Sequence, residues 1–317
     1  MEHNKKTITI GSRGSDLALW QARFIKSRLE ELQPKLLFII EIIKTTGDKI
    51  IDSPLSVIGG KGAFTQELET ALLAGEIDLA VHSLKDLPTE VPEGLAIACI
   101  PERAQVEDAF LSKDKSAKLF ELPHGAIIAT GSLRRKAHVL AIRPDYKIVD
   151  IRGNVPTRIK KLNESNWDGM ILASAGLYRL RLENEIAHII RTEDMLSAPG
   201  QGALAIEIRA EDKFISDILT PLEHKPTKLS VETERHILKL LGGGCQMPLG
   251  TYVRSVGDKY MIEASIASPS GEGLLRTSTS SSEADLMSNA SSVADYLLNH
   301  GATEIIASLN ESERSPQ

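Results

Sequence analysis

The chain has 317 residues, of which 42% are hydrophobic and 25% charged, and its 37 basic against 43 acidic side chains give a formal net charge of −6. This composition is typical of a soluble globular protein rather than a disordered one, and the negative net charge argues against a protein that coats nucleic acid. No apolar run approaches the roughly 18 residues of a membrane span. The N-terminus has no signal-peptide core, so we expect a cytoplasmic protein.

Short apolar runs alternate with amphipathic stretches in the first hundred residues. In chain order the pattern predicts a strand at 7–10, a helix from the N-cap Ser15 to about Leu32, a buried strand at 36–43, a helix at 64–74 and a strand at 77–81. This rhythm indicates an α/β fold with a largely parallel sheet.

The same rhythm restarts after about residue 104, which indicates a second, similar α/β unit. The predicted elements there are strands at 126–129, 147–151 and 170–173 and helices at 133–141 and 155–162. A turn-rich segment at 197–203 leads into a strand at 204–208. A return of that strand to the first sheet would make the first domain discontinuous.

The last third of the chain has the pattern of a small α+β domain. A helix at 231–241 stops at three glycines, strands follow at 249–253 and 260–267, and a final helix covers 283–298. We expect the polar tail at 308–317 to be frayed. We therefore predict three domains, comprising residues 1–102 with 200–220, then 103–199, then 221–317.

Positive charge is concentrated in one stretch of this acidic chain. Residues 130–160 hold eight Lys and Arg against two Asp, a net charge of +6, so the rest of the chain carries −12. A basic segment inside an acidic chain indicates a local anionic ligand rather than a general polyanion.

Four polar clusters follow predicted strands, and ligands of open α/β sheets bind beyond the carboxyl ends of the strands. The clusters contain Arg13 and Ser15, then Ser83, Lys85 and Asp86, then Ser132, Arg134 and Arg135, and finally Arg152. Arg suits carboxylates because its planar fork binds both oxygens. The alternative is that these residues lie on solvated helix faces or in surface ion pairs. That alternative would suffice for a single cluster, but four clusters at strand ends favour one carboxylate-binding cleft, which we predict.

Asp86 and the two cysteines stand out as single residues. Nearby cations should keep Asp86 ionised, so that it stabilises a cationic intermediate or grips an N–H donor. A structural salt bridge to Lys85 or an Arg is an equally open alternative. Cys99 lies in an apolar run, which indicates a core thiol, whereas Cys245 follows three glycines on a predicted loop, where it is either reactive or without a role.

Two further patterns argue against common cofactors. The glycines around Lys61 lack the spacing of a phosphate-binding loop, so we interpret residues 49–61 as a mobile lid rather than a nucleotide site. The eight histidines show no metal-ligand spacing, and we interpret His82 and His138 as packing or hydrogen-bonding residues. We therefore expect no metal.

Seven segments, in family order along the chain, resemble the motifs of the porphobilinogen deaminase (hydroxymethylbilane synthase) family. They are IGSRGSDLALWQA at 10–22, GGKGAFTQELE at 59–69, DLAVHSLKDLPT at 78–89, TGSLRR at 130–135, DIRGNVPTR at 150–158, SAPGQGALA at 197–205 and GGGCQMPLG at 242–250. Each motif alone is modestly specific, and together they are highly specific.

The resemblance implies two α/β domains like those of periplasmic binding proteins, followed by a small C-terminal α+β domain. It implies a dipyrromethane cofactor that is built from two substrate molecules and joined by a thioether to Cys245. Four porphobilinogens are then added, each losing ammonia, and hydrolysis releases linear hydroxymethylbilane. Asp86 is implied as the catalytic carboxylate, which contacts pyrrole nitrogens and stabilises the azafulvene cation.

The resemblance also implies which residues bind the acetate and propionate groups. These are Arg13, Ser15, Lys85, Ser132, Arg134, Arg135, Arg152, Arg158 and Arg179, while Lys61 and Ser83 line the cofactor cleft. The expected partner is the small molecule porphobilinogen, with no nucleic acid and no membrane, and we expect a monomer.

One segment departs from the family pattern. Ala104, Gln105, Val106 and Glu107 stand where the family usually has an acidic residue followed by Asp-Pro-Arg. The departure lies near the predicted border between the first two domains, where the contacts differ from the family pattern. The predicted site residues are intact, so we expect activity.

Two other functions explain parts of the pattern. A carboxylate-binding module of periplasmic-binding-protein type, without chemistry, would explain the Arg clusters but not Cys245 after three glycines. A nucleic-acid binder would use the segment of charge +6, but the aromatic content of 4% and the acidic remainder count against it.

Overall fold

The fold is that of a computed structural model, which describes residues 6–45, 65–243 and 247–314. The chain divides into two compact units. Unit 1 comprises residues 1–104 and 202–228, and unit 2 comprises residues 105–201 and 229–317. The predicted boundaries of three domains stay a prediction.

Unit 1 is built on a five-stranded sheet with the strand order β2-β1-β3-β10-β4. Its strands are β1 (Thr7–Ser12), β2 (Leu37–Ile42), β3 (Leu79–Ser83), β4 (Leu95–Cys99) and β10 (Leu204–Arg209). β1 pairs in parallel with β2 and β3, whereas β10 pairs antiparallel with β3 and β4. The strand expected at 204–208 therefore does return to the first sheet, and it makes that sheet mixed rather than largely parallel.

Helices cover both faces of the unit 1 sheet. On one face, α1 (Asp16–Leu32) and α6 (Lys213–Leu219) bury an apolar layer that includes Ile10 and Phe38. On the other face, α2 (Gln66–Leu73) buries a smaller apolar layer around Leu68 and Leu72. The sheet is thus covered on both sides, and its strand ends are left to carry polar groups.

Unit 2 repeats this arrangement with the strand order β7-β6-β8-β5-β9. Its strands are β5 (Asp108–Leu111), β6 (Ile127–Ala129), β7 (Lys147–Val149), β8 (Gly169–Ala173) and β9 (Ile186–Ile190), and its helices are α3 (Leu133–Ile142), α4 (Val155–Glu164) and α5 (Ser174–Arg179). β6 pairs in parallel with β7 and β8, and β5 runs antiparallel to β8 and β9. The predicted second, similar α/β unit is confirmed.

The C-terminal part of unit 2 is a three-stranded antiparallel sheet with helices. It comprises α7 (Lys225–Leu240), which begins in unit 1, β11 (Leu249–Val256), β12 (Lys259–Ile266), β13 (Leu275–Ser281), α8 (Leu286–Leu297) and α9 (Thr303–Arg314). The backbone N–H of Thr251 donates to the carbonyl of Ser197 at 2.8 Å, which joins this sheet to the α/β part. The predicted class, α/β with a small C-terminal α+β part, is confirmed.

Some element predictions are wrong. β2 is not buried, because it is an edge strand in which only Phe38 is inaccessible. The tail is not frayed from residue 308, because α9 continues to Arg314. In contrast, the prediction for Cys99 is confirmed, since the residue is 1% exposed and burial raises the pKa of its thiol to about 12.

Within the described residues, no helix combines the length and the apolar character that a bilayer crossing requires.

Candidate functional site

Unit 1 contains a small, partly open pocket where β1 and β3 end. Its polar lining consists of Arg13, Ser15, Gln21, Thr65, His82, Ser83 and Asp86. Because β1 and β3 are parallel neighbours, their carboxyl ends lie at the same edge of the sheet. The structure therefore brings together four predicted site residues, Arg13, Ser15, Ser83 and Asp86.

Two local contacts fix the walls of this pocket. Ser15 is the N-cap of α1, and its hydroxyl accepts a hydrogen bond from the backbone N–H of Ala18 at 3.4 Å. Gln21, one turn further along α1, donates its Nε2 to the hydroxyl of Ser83 at 2.7 Å. Sequence reasoning missed Gln21, although it lies three residues, about one helical turn, after Ala18, whose backbone N–H donates to the Ser15 cap.

Asp86 ends a short 3₁₀ turn, Leu84–Asp86, that directly follows β3. Its side chain is exposed at the pocket, and in the described part of the chain it forms no ion pair with Lys85 or with any Arg. This observation disfavours the structural salt bridge that the sequence left open. Lys85 lies half-buried in the same turn but outside the pocket lining.

The second set of predicted residues lies at the strand ends of unit 2. Ser132 follows β6 and is the N-cap of α3, where its hydroxyl accepts from the backbone N–H of Arg135 at 3.4 Å. A Cβ atom at Gly131 would lie 2.8 Å from the carbonyl oxygen of Ile151 and 3.8 Å from Cζ of Arg152. Arg152, which follows β7, therefore lies next to the start of α3, which follows β6. This close approach is possible because Gly131 has no side chain.

Arg134 and Arg135 are buried on Asp108, the first residue of β5. Arg134 donates Nη2 to Oδ2 of Asp108 at 2.7 Å, and Arg135 donates Nη2 to Oδ1 at 2.7 Å. Gln201 donates its Nε2 to the same Oδ1 at 2.9 Å. Burial alone would raise the pKa of Asp108, but the two guanidiniums outweigh it and hold that pKa well below its ordinary range.

The two arginines are 3% and 6% exposed and share a carboxylate of the protein. The expectation that both hold ligand carboxylates stays a prediction. Sequence reasoning missed Asp108, because an acidic residue followed by Ala-Phe-Leu does not resemble the start of a buried strand.

The remaining arginines of unit 2 are less buried. Arg152 donates Nε to Asp150 at 3.2 Å, and Arg158 donates Nε to the carbonyl of Gly153 at 2.7 Å. Gly153 has φ of +114°, a conformation that favours glycine. Arg179 ends α5, and burial lowers the pKa of its guanidinium to about 10, which leaves it charged at neutral pH.

Two predicted site residues, Lys61 and Cys245, and the predicted lid at 49–61 lie outside the described residues. Among the residues that are described, no group of three His, Cys, Asp or Glu side chains is arranged to hold a metal ion.

The chain matches known proteins along nearly all of its length. A family model described as "Porphobilinogen deaminase, dipyromethane cofactor binding domain" matches residues 8–217. A porphobilinogen deaminase of Chloroherpeton thalassium is 45% identical over 309 residues, which are 96% of this chain and 98% of that protein. One of Desulfitobacterium hafniense is 46% identical over 300 residues, 95% of this chain and 96% of that protein.

Solved structures resemble the chain more remotely. A TRAP periplasmic solute binding protein of Desulfovibrio salexigens is 11% identical, with a TM-score of 0.42 over 71% of this chain and 74% of that chain. The aliphatic sulphonate binding protein SsuA of Escherichia coli is 14% identical, with a TM-score of 0.38 over 73% of this chain and 68% of that chain.

Proposed function

Because the chain belongs to the porphobilinogen deaminase family, we propose that it is a hydroxymethylbilane synthase, a transferase of tetrapyrrole biosynthesis. It joins four porphobilinogen molecules head to tail with loss of four ammonia molecules, and one water releases linear hydroxymethylbilane. The observation that carries this proposal at the site is the exposed Asp86 carboxylate in a pocket that also holds Arg13, Ser15 and Ser83.

Asp86 supplies the negative charge that the reaction needs. Loss of ammonia from the aminomethyl group of porphobilinogen leaves a positive charge on the substrate. A carboxylate that no ion pair in the described part of the chain already neutralises is able to stabilise that charge as it develops. Its acceptor oxygens also suit the pyrrole N–H donor.

The arginines bind the acetate and propionate groups of the pyrroles. In unit 1 this role falls to Arg13, with the Ser15 and Ser83 hydroxyls as further donors and Lys85 from the same turn as Asp86. In unit 2 it falls to Arg152, Arg158 and Arg179, together with the hydroxyl of Ser132 and the free N–H groups at the start of α3. Arg134 and Arg135 contribute positive charge beneath that helix start while Asp108 holds their side chains.

The pocket also fits a dipyrromethane cofactor. Such a group brings carboxylates and pyrrole N–H donors, and the pocket offers cationic and hydroxyl donors together with one acceptor carboxylate. Arg13, Ser15, Ser83 and Asp86 would hold it, with Lys61 as a further lining residue. When bound, it supplies the pyrrole carbon to which the first substrate molecule is joined. We propose a thioether from this group to Cys245.

Incubation with porphobilinogen tests the proposed activity directly. We expect ammonia release and, after spontaneous cyclisation of the product with loss of water and oxidation of the resulting uroporphyrinogen I in air, the absorbance of uroporphyrin I. Tight binding of porphobilinogen without ammonia release would instead support the non-catalytic carboxylate-binding module.

The intact mass of the purified protein tests the cofactor separately. We expect an adduct of two pyrrole units on the native chain and none on Cys245→Ser. An adduct that persists in Cys245→Ser would place the attachment elsewhere.

We further propose that the protein is a monomer of the cytoplasm. Sedimentation at several protein concentrations tests the first statement, and a concentration-dependent mass would contradict it. Fractionation of cells tests the second.

A further inference from the structure

A buried pair of titratable side chains lies behind the Asp86 pocket, and the proposed mechanism does not use it. Nε2 of His82, on β3, lies 3.1 Å from Oε2 of Glu207, on β10. The two side chains are 4% and 1% exposed. His82 is also part of the pocket lining, whereas Glu207 is enclosed behind it.

The surroundings of this pair are apolar and acidic. The layer between α2 and the sheet is apolar and includes Leu68 and Leu72 of α2 and Ala80 of β3. From α2, Glu69 faces the pair, and its pKa is raised by burial and, to a lesser extent, by the charge of Glu207. Oε1 of Glu207 is buried and has no hydrogen-bond partner among the described residues.

A buried pair of this kind contributes little to the free energy of folding. A buried polar pair with one unsatisfied oxygen costs desolvation energy that its own hydrogen bond does not fully return, and apolar replacements of similar volume are often neutral or stabilising. Stability therefore does not explain the pair, and its place at the end of β3, next to the turn that carries Asp86, does.

His82 and Ser83 hold the end of β3 from both faces of the sheet. Successive side chains of a strand point to opposite faces. Ser83 is held by Gln21 of α1 at 2.7 Å on one face, and His82 is held by Glu207 on the other. The backbone N–H of Leu84 donates to the carbonyl of Ala203 at 3.1 Å, which continues this fixation into the turn that ends at Asp86.

We propose that Glu207 is a positioning residue that acts through His82 to hold the Lys85–Asp86 turn in its reactive place. The proposal rests on the proposed function, because it assigns no other reaction to the pocket. It predicts that a hydrogen-bond acceptor is needed at position 207 and that a negative charge is not.

Three variants test this assignment in the full-length protein. Glu207→Gln keeps an acceptor for His82, and we expect it to retain most of the wild-type kcat with an unchanged pH profile. Glu207→Leu removes the acceptor, and we expect kcat to fall about 100-fold, the cost of a misplacement near 1 Å, with KM little changed. The double variant H82L/E207L replaces the pair by apolar groups, so it folds even if Glu207→Leu does not, and we expect the same loss of kcat.

A structural readout accompanies the kinetics. Hydrogen exchange of the Leu84 and Leu87 amides should accelerate in Glu207→Leu and not in Glu207→Gln, while amides of unit 2 keep their wild-type rates. Glu185→Leu, which removes the surface ion pair with Lys115 at 2.9 Å in unit 2, is the control and should match the wild type in both measurements.

Full activity of H82L/E207L would overturn the proposal, because the pair would then be only structural. Equal losses in Glu207→Gln and Glu207→Leu would also overturn it, because charge or proton transfer would then matter rather than position. Failure of the proposed function is distinguishable from failure of this proposal, because in that case the wild type itself would release no ammonia from porphobilinogen.

Discussion

The guanidinium of Arg135 binds one oxygen of Asp108 through two nitrogens, with Nε at 3.1 Å and Nη2 at 2.7 Å. Asp108 is completely buried, and its other oxygen accepts from Arg134. One carboxylate therefore neutralises part of the charge of two adjacent arginines at the start of α3. A net positive charge remains beneath the helix N-terminus that carries Ser132.

Replacement of Asp108 should destabilise the protein strongly. Asp108→Asn keeps the shape of the side chain but leaves two buried guanidiniums without a countercharge, which typically costs about 3–5 kcal/mol of unfolding free energy. Urea unfolding at pH 7 measures this loss. Asp145→Asn removes the partner of Arg143 at a site where the two side chains are 22% and 17% exposed rather than fully buried. It is the control and should lose much less.

The deficit of Asp108→Asn should also depend on pH. The pKa of Asp108 is lower in the folded state than in the unfolded chain, so its contribution is present above the ordinary Asp pKa of about 4 and disappears as the pH falls below it. The variant and the wild type should therefore converge in stability in acid. A difference that stays constant from pH 7 to pH 2 would contradict the assigned ion pairs.

His138 should make the wild-type protein less stable between pH 6.5 and 4. Its Nδ1–H donates to the carbonyl of Arg134 at 2.8 Å, its Nε2 accepts from the hydroxyl of Ser265 at 2.8 Å, and burial together with the charge of Arg134 lowers its pKa to about 4. The unfolded chain binds this proton near pH 6.5, so the folded state loses up to ~3 kcal/mol as the pH falls through this window.

Urea unfolding of His138→Gln across this pH range checks the assignment. The variant should lack this part of the pH dependence, whereas His300→Gln, at an exposed histidine, should keep the wild-type slope. Identical slopes in His138→Gln and the wild type would show that the buried imidazole already carries its proton.

Arg152 should contribute to substrate binding more than to the chemical step. Its guanidinium lies next to the start of α3 and is only partly occupied by Asp150. Loss of a charge-assisted contact to a carboxylate corresponds to about 10–100-fold in affinity. We expect Arg152→Leu to raise KM for porphobilinogen by that factor, with a smaller change in kcat.

Steady-state kinetics against a matched surface variant measures this effect. Arg191→Gln removes an exposed guanidinium that is paired with Asp194 in the same unit, and it should leave KM unchanged. An Arg152→Leu enzyme with the wild-type KM would mean that other groups bind the carboxylates.

Local sequence signals predicted the elements on which the site is built. The Ser15 and Ser132 caps mark the starts of α1 and α3, and both lie directly after parallel strands, so the polar groups at these strand ends were found from the sequence. The third site element, the turn with Asp86, was found because it follows a buried apolar run. These signals are local, and each needs only a few neighbouring residues.

Long-range contacts were beyond such signals. The sequence around Asp108 does not indicate that Arg134 and Arg135 form buried ion pairs with it. Likewise, the sequence around Glu207 does not indicate that His82 is its partner. No strand was predicted at β13, and β2 was wrongly predicted to be buried, for a related reason. The pairing of β13 and the burial of β2 depend on where each strand lies in its sheet, and strand order is set by contacts between distant parts of the chain.

The rate of ammonia release from porphobilinogen, compared between the wild type and Asp86→Asn, tests the account most directly. The wild type should release four ammonia molecules per hydroxymethylbilane. Asp86→Asn should fold normally and bind porphobilinogen, while its rate of ammonia release falls by about 10²–10³-fold or more, as for other losses of electrostatic stabilisation. Turnover of Asp86→Asn at the wild-type rate, or a wild type that binds porphobilinogen and releases no ammonia, would contradict the account.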